Sequence, residues 1–301
     1  MFEEIDFIQE LKSRFPPGPH VSVGIGDDGA VLHPAGQQVV VTDMLLDGRH
    51  FEIQSCSPEL AGRKSVAVNL SDLAAMGCRP VAAFISVALS SGVQTPQRFL
   101  QRFYDGIEQL ARHYHFTIAG GDTTSWDGPF AVNVCLTGTP FSNAPVLRSG
   151  ARSGDRLYVT GPLGGSLLSG RHLTFDPRLR ESEWLSGSGV VSAMMDISDG
   201  LSLDLHRLCR ASEVGAEIIA EQVPVSSDVE TTLSANERLS RAFGDGEDFE
   251  LLFAVAPDSE AALRNAPFDL YQIGTVTAET ELILSQNGAP QQLPVSGWQS
   301  F

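Results

Sequence analysis

Within the first 140 residues, apolar runs of strand character alternate with two long runs of helical spacing, and this alternation limits the fold more than any other feature. HVSVGIG (20–26), QVVVTDM (38–44), VAAFISVALS (81–90), FTIAGGD (116–122) and FAVNVCLTGT (130–139) are rich in β-branched and apolar residues and bounded by turn formers. Between them, PELAGRKSVAVNLSDLAAMG (58–77) and TPQRFLQRFYDGIEQLARHY (95–114) carry helical spacing, the second opening on a Thr-Pro start signal. The leading MFEEIDFIQELKSRF has the pattern of an acidic amphipathic helix, with no signal-peptide core. The polar stretch LRSGARSGD (147–155) marks a boundary, after which RLYVTG (156–161), the strand-to-helix run MMDISDGLSLDLHRLCRASE (194–213) and FELLFAV (249–255) resume the alternation. The 301 residues exceed one comfortable core. The expectation is an α+β protein of two α/β-type domains, residues 1–148 and 149–301.

Charge narrows the partners. Asp and Glu number 37 against 20 Lys and Arg, a formal net charge of −17, and only Lys12 and Lys64 of the basic set are lysines. So acidic a chain is a poor candidate for nucleic acid or anionic membrane, both of which ask for a basic face. Its carboxylates suit cations, although most acidic residues of any protein are solubilising surface. No apolar run approaches the roughly 18 residues of a membrane span. Cys56, Cys78, Cys135 and Cys209 are scattered, with no CxxC pair, as expected of reduced thiols in a cytoplasmic protein.

GIGDDGAV (24–31) matches both the dinucleotide fingerprint and the protein-kinase glycine loop, and fails both in context. VLHPAGQQ follows it where a dinucleotide fold needs a helix, and neither a strand lysine nor an HRD-type loop is present. With two carboxylates inside it, the loop suits phosphate only through a metal ion.

Aspartates recur after small residues at the ends of the β-like runs: Asp27 and Asp28, Asp43 after Thr42, Asp122, and Asp196 with Asp199. Carboxylates at equivalent strand ends gather at one rim of a sheet, where α/β folds place ligands. Such oxygen donors fit Mg²⁺, which takes a few carboxylates, several waters and substrate phosphates. Each site also has an ordinary reading: Asp after Gly or Thr is common turn chemistry, and Ser198 or Asp199 suits the cap of the following helix. Asp72 is different, because Ser65, Asn69 and Asp72 form a narrow polar stripe on an otherwise apolar helix. A carboxylate there needs a cation, either an arginine or a metal. A metal-rich site without a base suits transfer onto an acceptor phosphate, which is already an oxyanion; hydrolysis and ligation of phosphorylated substrates fit the same charges.

Taken in order, GIGDDGAV, TDMLLDGRHF, VNLSDLAAMGCRP, GGDTT, LRSGA, DISDGL and GEDFELLF resemble the bacterial thiamine-phosphate kinase family, over positions 24 to 253. That family belongs to the aminoimidazole ribonucleotide synthetase-like superfamily. The resemblance implies transfer of the γ-phosphoryl of ATP to thiamine monophosphate, yielding thiamine diphosphate in the last step of its biosynthesis, with several Mg²⁺ ions and a monovalent cation as a further candidate. It implies an N-terminal metal-binding and ATP-binding domain whose sheet pairs in a homodimer, and a C-terminal α+β domain. Position by position, Asp27, Thr42, Asp43, Asp72, Asp122, Asp196 and Asp199 match the family's metal ligands. Gly121, Asp122, Arg148 and Ser198 match its ATP contacts, and His50, Glu247 and Trp298 its contacts to thiamine monophosphate. No catalytic general base is expected. His50 as a satisfied structural histidine and Trp298 as a chain anchor are the plain alternatives.

The chain departs from the family pattern at Gly29, at Asp47 and Arg49 in the DGRHF segment, and in the closing GWQSF, while the stretch between LGG (163–165) and DISD is compact. Two other readings stand beside the kinase: another ATP-consuming synthetase of the superfamily, or a cation- or nucleotide-binding protein without turnover.

Overall fold

The computed structural model describes residues 4–34 and 36–298. The chain divides into two compact units, residues 1–73 with 79–140, and residues 74–78 with 141–301.

The first unit opens with α1 (Glu4–Arg14), then a short hairpin of β1 (Val21–Val23) and β2 (Val31–Leu32) that brackets the GIGDDG loop. The alternation continues as β3 (Val39–Leu46), α2 (Pro58–Ala75), β4 (Cys78–Ser90), α3 (Pro96–Tyr114), β5 (Thr117–Trp126) and β6 (Ala131–Pro140). Both helices and all five strand runs expected here are present. β3–β6 form a four-stranded sheet of order β3-β6-β4-β5, with β3 antiparallel to β6 and β4 parallel to β5. α3 begins on Pro96, whose missing N–H suits a helix start, whereas the Thr95 side chain makes no capping bond. One face of α3 buries Phe99, Leu100, Phe103, Tyr104, Ile107 and Leu110; Phe99 and Phe103 meet Phe130 edge-on at 5.1 and 5.3 Å. α1 is tied to α3 by Arg14, which reaches Asp105 and Glu108, and by Gln101 donating to Glu10.

Two glycines set the spacing of α2 and α3. A Cβ on Gly62 would lie 2.0 Å from the Phe103 carbonyl oxygen, and one on Gly106 would lie 1.9 Å from that of Glu59. The helices therefore touch backbone to backbone. On β3, Val39, Val41 and Leu45 are buried, and the alternate Val40 and Met44 are each 62% exposed, leaving one face of this edge strand apolar and open.

The second unit comprises β7 (Arg156–Val159), the single turn α4 (Ser166–Ser169), α5 (Leu179–Ser188), β8 (Val191–Asp196), α6 (Leu201–Ser212), β9 (Gly215–Ile219), α7 (Ala235–Gly244), β10 (Leu251–Val255), the turn α8 (Glu260–Leu263), β11 (Tyr271–Thr277), β12 (Leu282–Gln286) and β13 (Ala289–Gln292). Its seven-stranded sheet runs β13-β12-β9-β11-β7-β10-β8, with only β12 and β9 parallel. Leu157, Val159, Met195, Leu252, Ala254 and Ile273 of the sheet pack with Leu201, Leu205 and Leu208 of α6 in one core.

Cys56, Cys78 and Cys209 are buried, Cys135 is half-buried, and all four are free. Burial pushes the Cys78 and Cys209 thiols up to about 12, so neither presents a thiolate near neutral pH. In the native protein a thiol reagent is expected to leave Cys78 and Cys209 unmodified until denaturant is added, as mass mapping of labelled peptides will show. Gly106→Ala is expected to lower stability by about 2 kcal/mol or more, because the added methyl meets a carbonyl that cannot step aside. Chemical denaturation checks this, and an unchanged midpoint would contradict the backbone contact.

Candidate active site

Part of the expected site is assembled in the first unit. A cavity of about 720 Å³ is lined by Gly24, Gly26, Asp27 and Asp28 of the hairpin loop and by Gly120, Gly121, Asp122 and Thr123 of β5; Phe7, Ile8, Leu11 and Tyr104 form an apolar wall. The chain thus brings Asp27 and Asp122 from distant stretches to one hollow. Two backbone features shape it. The β4–β5 register slips by one residue between Ala83 and Phe84, so that Ala83 faces Ile118 while Phe84 faces Gly120. Immediately beyond, a Cβ on Gly121 would stand 1.9 Å from the Ile85 carbonyl oxygen, so only glycine fits beside Asp122. Asp27 and Asp122 each accept a hydrogen bond at 2.9 Å from the amide of the following residue, which fixes one carboxylate oxygen.

Asp43 and Asp122 lie inside β3 and β5, not at strand ends as the sequence suggests, because both strands continue three or four residues past them. They occupy the two opposite edge strands of the sheet. By period two, Asp43 shares its face with Val41 and Leu45, and Thr42 shares the open face with Val40 and Met44. Asn133 on the neighbouring strand donates to the Thr42 hydroxyl and to the Asp43 carbonyl, both at 3.0 Å. On α2 the expected polar stripe divides in two. Ser65 and Asn69 turn inward to helix carbonyls, Oγ to Ala61 and Nδ2 to Ser65, while Asp72 is half-buried. The fully buried Asn69 Oδ1, one turn before Asp72, accepts no hydrogen bond.

His50 sits in a tight turn after β3. Its Nδ1 accepts from the Leu46 amide at 3.0 Å, which leaves the proton of a neutral ring on Nε2. Its carbonyl accepts a 2.6 Å hydrogen bond from the ammonium of Lys64, a lysine with no exposed surface. Nothing in the sequence marks Lys64, whose fully buried position on α2 only tertiary packing reveals.

The second unit gathers Asp196, Ser198, Asp199, Glu247 and Trp298 around the end of β8. Here every main-chain N–H and C=O from Ile197 to Gly200 has a partner. The Ile197 amide donates to Glu250 O and its carbonyl accepts from Phe249 N, each at 2.8 Å. Ser198 O accepts from Glu247 N at 2.7 Å, Asp199 O from Trp298 N at 3.0 Å, and Gly200 O from Asp204 N at 3.0 Å. The amides of Ser198, Asp199 and Gly200 all donate to one oxygen, Oδ2 of Asp204. Neither Ser198 nor Asp199 caps α6, the plain alternative for these residues. Gly200 occupies the cap position, and Asp204 reaches back from the first turn to do the work. Arg207 bridges Asp204 at 2.7 Å and Asp199 at 2.5 Å. Burial, reinforced by neighbouring Asp196, pushes the Asp204 carboxyl up to about 7. The sequence marks Asp204 only as an acidic residue in a first helical turn, and Arg207 not at all. Arg148 is exposed, while Leu147 O accepts from Met194 N and Arg148 O from Ser212 Oγ, which fixes the backbone of its loop. Gln299, Ser300 and Phe301 of the closing segment lie outside the described residues.

The donor set is entirely oxygen, as magnesium prefers. Among the described residues no three His, Cys, Asp or Glu side chains close on one point. Magnesium asks for no such cage, since it keeps waters and shares substrate phosphates. The carboxylates and the unsatisfied Asn69 oxygen are consistent with that ion. No helix among the described residues is long and apolar enough to cross a membrane.

Residues 26–139 match the model of the AIR synthase related protein N-terminal domain, and residues 152–286 that of the C-terminal domain. The chain is 39% identical to the thiamine-monophosphate kinase of Rhodopirellula baltica over 292 residues, covering 93% of this chain and 91% of that protein. The chain belongs to the thiamine-monophosphate kinase family. It is also 34% identical to the Escherichia coli K12 enzyme, covering 93% of this chain and 92% of that one. The solved thiamine-monophosphate kinase of Stenotrophomonas maltophilia superposes with a TM-score of 0.80 at 29% identity, over 96% of this chain and 97% of that one. AaThiL complexed with AMPPCP and TMP superposes at 0.76 and 29% identity, over 99% and 97%. The expected superfamily fold and kinase assignment hold, and the synthetase and non-catalytic readings give way to them.

Asp204→Ala strands three backbone donors and is expected to lower stability by about 2–4 kcal/mol, with Asp204→Asn, which keeps an acceptor oxygen, losing less than half as much. Urea titrations of the two variants test this, and equal losses would mean that the backbone amides do not depend on that oxygen.

Proposed function

We propose that this protein transfers the γ-phosphoryl group of ATP in line to the phosphate of thiamine monophosphate, giving thiamine diphosphate in the last step of that coenzyme's synthesis. The observation that carries the reading is the cavity lined both by Asp27, Asp28, Gly121 and Asp122 and by the apolar Phe7 and Ile8 with Tyr104. A nucleotide has the same two-part character, a flat apolar base and a polyanionic tail. The relative solved with AMPPCP and TMP supports both substrates.

Asp27, Thr42, Asp43, Asp72, Asp122, Asp196 and Asp199 are assigned to several magnesium ions. When bound, magnesium neutralises the triphosphate and lowers the repulsion between two anionic substrates. The chain's own residues do the rest. Gly121 and Asp122, Arg148 with its planar guanidinium, and Ser198 with its hydroxyl are assigned to ATP. His50 offers Nε2–H, Glu247 a carboxylate and Trp298 a ring face to thiamine monophosphate, whose thiazolium is cationic. The acceptor phosphate is already an oxyanion, so no side chain need remove a proton. The exposed Val40 and Met44 on the open face of β3 favour pairing of the N-terminal sheets in a homodimer. A cytoplasmic setting agrees with four free thiols.

Purified protein supplied with ATP, Mg²⁺ and thiamine monophosphate is expected to form thiamine diphosphate and ADP in equal amounts. ADP without thiamine diphosphate would sink the assignment. Asp72→Asn is expected to cost roughly two orders of magnitude or more in kcat while the far-ultraviolet dichroism stays unchanged. Full turnover by that variant at saturating Mg²⁺ would remove Asp72 from the metal set.

A further inference from the structure

The loop Gly246–Glu250 carries three left-handed residues, Gly246 at φ +69°, Glu247 at +56° and Phe249 at +53°. Glycine adopts this conformation freely, but Glu and Phe do so only when the surroundings over-determine it. Main-chain bonds from Glu247 and Phe249 to Ser198 and Ile197 supply part of those surroundings, and much of the side-chain hold comes from one short segment, residues 171–178, in the compact stretch between LGG and DISD.

Three contacts make the hold. Asp248 has no exposed side chain, and its Oδ1 accepts from Arg171 Nη2 at 3.0 Å and from the Gly164 amide at 2.9 Å. The same guanidinium donates through Nε to Asp228 at 2.7 Å, so Arg171 is itself fixed from a second side. Phe249 stacks on Phe175, ring centroids 4.0 Å apart and planes 13° from parallel. Glu250 is gripped by Arg178 through Nη2 at 2.5 Å and Nε at 2.7 Å, with Thr160 Oγ1 donating at 2.6 Å. Residues 248, 249 and 250 are thus each held by this one segment. Glu247 is the residue just before them, and its amide is bonded to Ser198 O.

We propose that residues 171–178 form a clasp that holds Glu247 in its left-handed state and thereby aims its carboxylate at thiamine monophosphate. Arg171, Phe175 and Arg178 are then positioning residues that touch neither substrate. This rests on the reading of Glu247 as a substrate contact. Released, residues 247 and 249 relax to negative φ, which swings the Glu247 Cβ away and breaks the main-chain bonds to Ile197 and Ser198. The clasp acts on the acceptor contact, so its loss separates the two substrates kinetically.

Phe175→Leu removes the stacked ring but keeps an apolar side chain, and Arg171→Lys keeps the charge but loses the fork that joins Asp228 to Asp248. In the full chain each is expected to raise KM for thiamine monophosphate about tenfold with KM for ATP within about twofold, and to speed hydrogen exchange at the Glu247 amide. An unchanged KM for thiamine monophosphate despite faster exchange would overturn the proposal, as would a parallel rise in both KM values. Glu247→Gln separates the underlying reading: an unaltered KM for thiamine monophosphate in that variant rejects Glu247 as a substrate contact, whereas the exchange rates in the clasp variants still report whether the loop is held.

Discussion

The second unit hangs on the complete pairing of four consecutive residues, Ile197 to Gly200. A strand that ends and a helix that begins ordinarily leave amides and carbonyls to water. Here Asp204 takes three amides on one oxygen and gives its own amide to the Gly200 carbonyl, and the 247–250 loop and Trp298 take the other three carbonyls. Nothing in that stretch is left to choose a different path, so the directions of Asp196, Ser198 and Asp199 follow from the main chain. The arrangement also explains why Asp204 is buried at some electrostatic cost. A neutral cap could not have served three donors and an arginine together.

Arginine is the basic residue of this fold for a geometric reason. Arg14, Arg171, Arg178 and Arg207 each engage two carboxylates, and Arg102 meets Glu59 with two nitrogens. A planar fork with several donors can do this, whereas an ammonium acts as a point charge. The net charge of −17 therefore describes a surplus left after an internal set of carboxylates has been neutralised. Lys64 is the complement: a compact ammonium spent inside, on the His50 carbonyl.

Much of the first unit was legible in the sequence because its signals are local. Helix spacing in 58–77 and 95–114 and apolar runs between turn formers survive folding nearly unchanged. The aspartates were legible as a set but not in their places. Asp43 and Asp122 read as strand ends because a carboxylate after a small residue ordinarily closes a strand, whereas here pairing with β6 and β4 carries both strands onward. β9, β11 and β12 hold only short apolar stretches interrupted by Gly, Glu, Gln, Ser or Thr, and β13 is mostly Pro and Gln, so no long run marks them and pairing across the sheet is what makes them strands. The capping of α6 stays open in the sequence for a related reason. Ser198 and Asp199 have the right chemistry at the right place, and only the fold reveals that Asp204 has already satisfied their amides. The family resemblance named side chains that no period or spacing could single out, such as Glu247.

The two glycines between α2 and α3 have one more effect. Most helix pairs are separated by side chains, and their distance drifts as those side chains change volume over generations. A pair in which each helix rests on the other's carbonyl oxygen has no such adjustable spacer. Its separation is a constant of the polypeptide itself. Asp72 rides on α2 about three turns beyond Gly62, so the neighbourhood is free to vary in sequence while the carboxylate keeps its station, as a gauge block keeps a tool in place however the bench around it is rebuilt.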